Sequence, residues 1–253
     1  MRKYSGFGDR LLMIFIYASL VVILILVVAP VLNVLANSFS APSAVVAGKV
    51  SFWPVEFSLQ GYQAVLRNSL IMTGFLNSVI YTLFGTMLNL TLTFLLAYPL
   101  AMDGFYGKKV FLGYFIVTMF FSGGMVPSYL LMKDLHLLDT RLSMIVTAGV
   151  SVYNAIIART YMRTTIDPDL YGAAAIDGAG DGTIFLRIVL PLSKPIIAVF
   201  TMMFAVGHWN SFFGGLMYLR NRDYFPLQLV LRQILDCMAF VDIPNCNARS
   251  ACV

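Results

Sequence analysis

Charged residues make up only 11% of the 253-residue chain, where a soluble domain carries about 25%. That scarcity excludes an ordinary water-soluble globule. With 59% hydrophobic residues and a mean hydropathy of +0.82, it leaves a polytopic membrane protein. Cysteine is absent until Cys237; Cys246 and Cys252 complete a set of three that matches no zinc pattern and is odd in number for closed disulfides. Only two histidines occur, His136 and His208, and no carboxylates cluster within the apolar runs. A metal site, a proton relay or intramembrane hydrolysis therefore has few groups to work with. No G-x-x-x-x-G-K-[ST] is present, so the chain carries no P-loop for ATP and binds no cofactor of its own. The net charge of +5 is spread without a Lys/Arg cluster, which argues against nucleic acid as a partner.

What is present is a series of long apolar runs. Five meet the length of roughly 20 residues that a spanning helix needs. The first starts at Leu11, with no charge before Lys49; the second is uncharged from Asn68 to Met102. The third covers Val110–Met132, the fourth Leu142–Ala158 and the fifth Pro195–Leu219. In lipid the backbone must satisfy its own hydrogen bonds, so each run reads as helix and the fold class as an all-α transmembrane bundle. The first run follows Arg2, Lys3 and Arg10, and Val34-Leu35-Ala36 imitates a cleavage site. It exceeds the roughly 7–15 residues of a secretory h-region, so it reads as a retained helix.

Basic residues set the orientation. Arg2, Lys3, Arg10, Lys108, Lys109, Arg159, Arg163, Arg187 and Lys194 fall on one side, against Lys49, Arg67, Lys133 and Arg141 on the other. The positive-inside rule places the N-terminus and the segment Asp167–Pro191 in the cytoplasm. Residues 37–67 then form the largest outer connection, rich in aromatics (Phe52, Trp53, Phe57, Tyr62) that suit a headgroup-level belt or a docking surface for an external protein. Asn77 and Asn89 lie in the second run, where polar side chains link helices or line a pathway. Gly123 and Gly124, with Pro127, loosen the third, as at the broken helices of transporter sites or at close helix contacts. In the fifth run stand His208, Trp209 and Asn210; His208 is the only ionisable side chain inside a run, which makes it a candidate for lining a substrate path, with packing as the alternative.

The segment DPDLYGAAAIDGAGDGTIFLRIVLP, Asp167–Pro191, is neither membrane-like nor plain loop. Ala173-Ala174-Ala175 favours helix, Asp177-Gly178 breaks it, and Thr183–Leu190 restores an apolar pattern that Pro191 closes. Gly178-x-Gly180-x-Gly182 follows no strand, so it is no dinucleotide fingerprint. Asp177-x-Ala179-x-Asp181-Gly182 has Ile188 where a calcium loop needs Glu. The spacing of Gly172, Ala173, Ala174, Asp177, Gly178, Ala179, Leu190 and Pro191 resembles the E-A-A-x-x-D-G-A…I-x-L-P signature of ABC importer permease subunits, with Gly172 in place of the leading Glu. Phe121–Pro127 and Gly207-His208-Trp209-Asn210 are similar to the carbohydrate-uptake branch of maltose- and oligosaccharide-type permeases.

The resemblance implies an all-α permease domain over residues 1–235 that pairs with a second permease subunit as a heterodimer in the bacterial cytoplasmic membrane. It implies two ATPase subunits that hydrolyse ATP and clasp the loop helices, and an extracytoplasmic sugar-binding protein that delivers cargo. The family has six spans where five are read here, and a Gly at 172 predicts weaker coupling. Beyond Arg220, Asn221–Ile234 is similar to the family's outer segment. Residues 236–253 then shift abruptly to a Cys-containing tail that reads as a truncated or frame-altered end. A nonfunctional truncated permease is one alternative, and a membrane-embedded enzyme, with only His208 and scattered Asn and Ser to use, is another.

Overall fold

The computed structural model describes residues 7–102, 104–121, 123–147 and 149–241, with side chains described only as far as Asp236 at the C-terminal end. Cys237, Cys246 and Cys252, and with them the Cys-containing tail, lie outside the described side chains. Among the described residues the chain is helical without a strand, apart from one isolated bridge between Ser40 and Phe57. It divides into two compact units, Met1–Ser69 and Leu70–Val253.

The first unit is built on α1 (Phe7–Ser38), a 32-residue helix. Its Leu, Ile and Val side chains stay exposed all round, a surface that water would penalise and lipid accepts. The helix ends in side chains that turn back to main-chain carbonyls: Ser38 Oγ donates to Leu35 O, and Ser40 Oγ to Ala36 O at 2.6 Å. Phe39 then stacks on Phe57, with ring centroids 5.8 Å apart, and Tyr62 OH donates to Ser38 Oγ. The short α2 (Pro42–Val46) and α3 (Gln60–Arg67) complete this unit. Trp53 remains 82% exposed, as a headgroup-level or docking aromatic would be.

The second unit is organised along α4 (Ser69–Ala101), whose 33 residues give about 50 Å of helix, well beyond a 30 Å hydrocarbon core. One stripe of α4 is buried at helical spacing: Gly74, Ser78, Tyr81, Gly85, Asn89, Thr93, Ala97 and Ala101. These residues are small or polar. Membrane helices associate by close backbone approach and interhelical hydrogen bonds rather than by hydrophobicity, so that is the composition expected of a packing stripe.

The remaining runs do not form single straight helices. Two helices, Gly8–Ser38 and Ser69–Ala101, are long and apolar enough to span by themselves, or up to four if each bent pair counts as one span. This count is by length and composition among the described residues, where five apolar runs were read from the sequence. The third run is α5 (Lys108–Phe120) and α6 (Met125–Asp134), bent by 114° at a break between Phe120 and Met125. Gly124, at φ 84° and ψ −174°, holds a conformation open to glycine alone. The fourth run splits into α7 (Arg141–Val146) and α8 (Val152–Thr165), where Ser151 caps α8 by accepting from Asn154 N. After α9 (Pro168–Ile176), α10 (Asp181–Ile184) and α11 (Leu190–Leu192), the fifth run becomes α12 (Lys194–Trp209) and α13 (Phe212–Tyr218). The last described helix, α14 (Leu227–Val241), continues across the boundary between residues 235 and 236.

Two apolar clusters hold this unit. One gathers at the Ala101 end of α4 and contains Phe94, Ala97, Ala158, Met162, Phe200 and Phe204. The other gathers toward the Ser69 end around Tyr81, Met144, Leu219, Phe225, Leu229 and Val230. Leu227 N donates to Ser78 Oγ, a Cβ on Gly74 would lie 3.1 Å from Val230, and Ile71 and Ile234 flank the same cluster. Thus α14 runs antiparallel to α4, from the level of Ser78 toward the Ser69 end.

Candidate functional site

The segment Asp167–Pro191 folds as its residues dictate. Asp167 takes an extended conformation and its Oδ1 accepts from Asp169 N at 3.0 Å, an N-cap that Pro168 follows in the first turn. The other end of α9 is a Schellman motif. Ala179 N donates to Ala174 O at 2.9 Å and Gly178 N to Ala175 O at 3.1 Å, with Gly178 at φ 74°. Ala179 and Ala174 supply the apolar contact that accompanies this motif, and both pack in the Ala101-end cluster. The signature A-x-x-D-G-A is therefore the sequence of a stop: alanines for the helix, glycine for the left-handed residue, alanine for the seal.

The second limb departs from expectation at Pro191. Rather than closing the stretch, Pro191 sits inside a helical run that continues to Leu192. A proline there lacks its N–H and crowds the carbonyl four residues back, that of Arg187. The chain widens into a π-turn over Phe185–Val189, which opens the space the ring needs. Ser193 N returns to Val189 O at 2.9 Å, and the chain bends 79° into α12.

Three side chains anchor this loop. Ala174, Ile184 and Val189 are buried among Phe94, Ala97, Ala158, Met162 and Phe200. Tyr98 adds a ring contact to Phe185 at 5.0 Å and a hydrogen bond from its OH to Asp181 O at 3.3 Å. Leu190 is half-buried, and Pro191 is exposed. Gly172, Ala173, Asp177 and Gly178 also face outward, and a Cβ on Gly172 would meet open space. Beside them Ile176 is 89% exposed and Leu186 63%. Leu170 and Leu192 at its two ends are exposed as well, so the outward face of the loop mixes apolar side chains with Asp169, Asp177, Asp181 and Arg187.

His208 is buried against α4, where Asn89 Nδ2 donates to His208 Nε2 at 3.1 Å. The approach depends on Gly85, since a Cβ there would fall 2.5 Å from Nε2 and 2.7 Å from Nδ1. Nothing in the spacing of the sequence announced this socket; its only signal is a glycine one turn before Asn89. A cavity of about 470 Å³ opens beside the pair, walled by Met144, Thr147, Ser151, Phe204, Ser211 and Met217 among others. Asn89 lines it, and the buried Oδ1 of Asn89 has no hydrogen-bond partner among the described residues.

The other candidates for a path lie elsewhere. Trp209 packs edge-on against Phe75 at 5.9 Å, and Asn210 donates from its own side chain to Val206 O at the end of α12. Gly123 and Gly124 stand at the α5–α6 bend and do not line this cavity; among the described residues a methyl on Gly123 would meet Pro127 and one on Gly124 open space.

At the Ser69 end, residues 218–227 are gripped by their main chain. Asn77 Nδ2 donates to Asp223 O at 2.7 Å and to Phe225 O at 3.2 Å, and Tyr81 OH donates to Tyr224 O at 2.8 Å. From the α6–α7 link, Asp139 accepts at one carboxylate oxygen from Arg220 N (2.9 Å) and Asn221 N (2.7 Å), while Asp139 N donates to Tyr218 O. The two backbone donors hold the Asp139 carboxyl below the usual carboxylate range.

Comparison with known proteins agrees with this architecture. Residues 89–235 match the family model described as "binding-protein-dependent transport system inner membrane component". The chain is 37% identical over 207 residues to the protein LplC of Bacillus subtilis (strain 168), covering 82% of this chain and 70% of that one. It is 35% identical over 227 residues to the polygalacturonan/rhamnogalacturonan transport system permease protein YtcP of the same organism, covering 90% and 79%. A crystal structure of a bacterial ABC transporter involved in the import of the acidic polysaccharide alginate superposes with a TM-score of 0.89 at 31% identity, covering 93% of this chain and 84% of that one. With the helical bundle and the signature loop in place, these similarities establish that the chain belongs to the binding-protein-dependent transport system inner membrane components, the permease subunits of ABC importers.

Proposed function

We propose that this permease subunit forms part of the translocation path for an oligosaccharide and receives its driving force through the loop Asp167–Pro191. The observation that carries the reading is the loop itself: a helix locked by the Schellman turn at Gly178, rooted in the bundle core by Ala174, Ile184 and Val189, with Ile176 and Leu186 displayed outward. A body rooted in this way transmits displacement to α4, α8 and α12 rather than absorbing it. The basic residues on the loop's side of the membrane support a cytoplasmic N-terminus and loop, facing an ATPase. ATP is bound and hydrolysed by two partner ATPase subunits, since this chain lacks a P-loop. A second permease completes the path, and an extracytoplasmic sugar-binding protein delivers the cargo. The relative for polygalacturonan/rhamnogalacturonan and the importer of alginate support a carbohydrate cargo. In the path, His208 and Asn89 supply polar groups to an otherwise largely apolar wall.

Co-purification with the ATPase and the second permease tests the coupling. Retention of the ATPase by the native chain, and its loss in Gly178→Val, is the expected result; a bulky β-branched residue cannot hold φ 74° without strain. Equal retention by both would overturn the assignment of this loop.

A further inference from the structure

The cavity beside His208 has no Arg, Lys, Asp or Glu among its described lining residues. His208 adds no cation either: its Nε2 receives a proton of the Asn89 amide, so that nitrogen carries a lone pair and the ring is neutral. Three of the donors around the cavity are spent on protein acceptors. Asn89 Nδ2 donates to His208, Thr147 Oγ1 to Ser143 O, and Ser211 Oγ to His208 O. What these groups leave over is acceptor capacity, above all at Asn89 Oδ1. That oxygen is buried and has no hydrogen-bond partner among the described residues, on a side chain only 2% exposed. The rest of the wall is soft and apolar, with Met144, Met203 and Met217 beside Phe204 and Phe213. Thioether chains follow irregular apolar outlines at little cost.

We infer that this cavity selects uncharged, hydroxyl-bearing sugar rings, with Asn89 Oδ1 accepting from a cargo hydroxyl, and rejects the carboxylate of a uronate. A hydroxyl supplies the donor that the buried oxygen lacks, while the apolar face of the ring lies on the Met and Phe wall. A carboxylate offers acceptors only. It would meet Oδ1 lone pair to lone pair, and no cation stands there to offset the hydration it gives up. This sets the chain apart from the importer of the acidic polysaccharide alginate, whose fold it shares. The inference rests on the proposed oligosaccharide path through this cavity.

The test is equilibrium binding to the full transporter, both permeases with their ATPases, in nanodiscs without the binding protein, so that its selectivity does not enter. The probes are oligogalacturonates of short length and their carboxyl-reduced, neutral counterparts. The native complex is expected to bind the neutral sugar about 10-fold or more tightly than the acidic one. Asn89→Leu is expected to weaken the neutral sugar by about 10-fold and to leave the acidic one as it was. Met217→Lys puts a cation on the wall and removes neither partner of the Asn89–His208 pair. It should tighten the acidic sugar by about 10-fold, a gain that shrinks as salt rises. Acidic sugar bound by the native complex as tightly as neutral sugar overturns the selectivity and leaves sugar transport standing. Neutral binding unchanged in Asn89→Leu overturns the role of Oδ1, which then holds water alone. If Asn89→Leu does not assemble, Met217→Lys decides: no gain for the acidic sugar overturns the inference. Loss of the second permease from Met217→Lys overturns it too and makes this wall a subunit interface. Binding of neither sugar by a native complex that retains its ATPase sinks the carbohydrate reading itself, and the inference with it.

Discussion

At the Ala101 end of α4, the loop Asp167–Pro191 closes its main chain on itself and sends apolar side chains into the bundle. At the Ser69 end, residues 218–227 leave their main chain open and are held there by polar side chains from elsewhere. Apolar contacts are non-directional, so the first region is held by the area it buries against α4, α8 and α12. Hydrogen bonds to fixed carbonyls and N–H groups are lost over a fraction of an ångström, so the second region holds its register. One end is held by buried area and the other by directional bonds.

The contrast is broken most strongly at Ala174. Ala174→Asp would bury a carboxylate in the Ala101-end cluster and is expected to cost about 3 kcal/mol or more, read as a large fall in thermal stability and loss of the ATPase. The same change at exposed Ala173 should alter stability by only about 0.5 kcal/mol. Next comes Asn77→Ala, which strips Asp223 O and Phe225 O of a donor. It should cost about 1–3 kcal/mol, with amide-exchange protection falling across 223–230 and not across 168–179.

The latch at Asp139 sharpens the comparison through pH. Its carboxyl is depressed, so its stabilising contribution is present above the unfolded value of about 3.8 and is lost only as pH falls through the lower folded value. NMR exchange at Arg220 and Asn221 amides should stay protected down to pH 5, and Asp139→Ala should abolish that protection at every pH. The smallest effect belongs to Gly172, exposed and helical with open space for a Cβ. Gly172→Ala should stabilise by about 0.5–1 kcal/mol without changing ATPase retention, and loss of the ATPase would show that the bare backbone there is itself a contact.

Much of the Ala101 end was legible in the sequence, because its determinants are local. An alanine run and an Asp-Gly-Ala stop are adjacent and act on one another directly, whereas the N-cap at Asp167 came only with the structure. Pro191 misled because the signal for a helix break is also local, and the π-turn that accommodates it is not. At the Ser69 end the partners of Asn77 were not legible. Asn77 and Asp223 are far apart in the chain, and Asp139 looks like any residue of a polar link. Hydropathy marked where apolar residues run; the break at Gly124 was legible from Gly123, Gly124 and Pro127, but the bend at Ser193 had no such local signal.

The meeting of His208 with Gly85 ties two positions 123 residues apart into one unit of inheritance. Neither can change first without loss: a methyl at 85 collides with the ring, and a small residue at 208 opens a hole against bare backbone. Related chains should therefore fall into two groups, those with glycine at the first position and a ring at the second, and those with a side chain at the first and a small residue at the second. A homologue that mixes the two must have moved one helix away from the other.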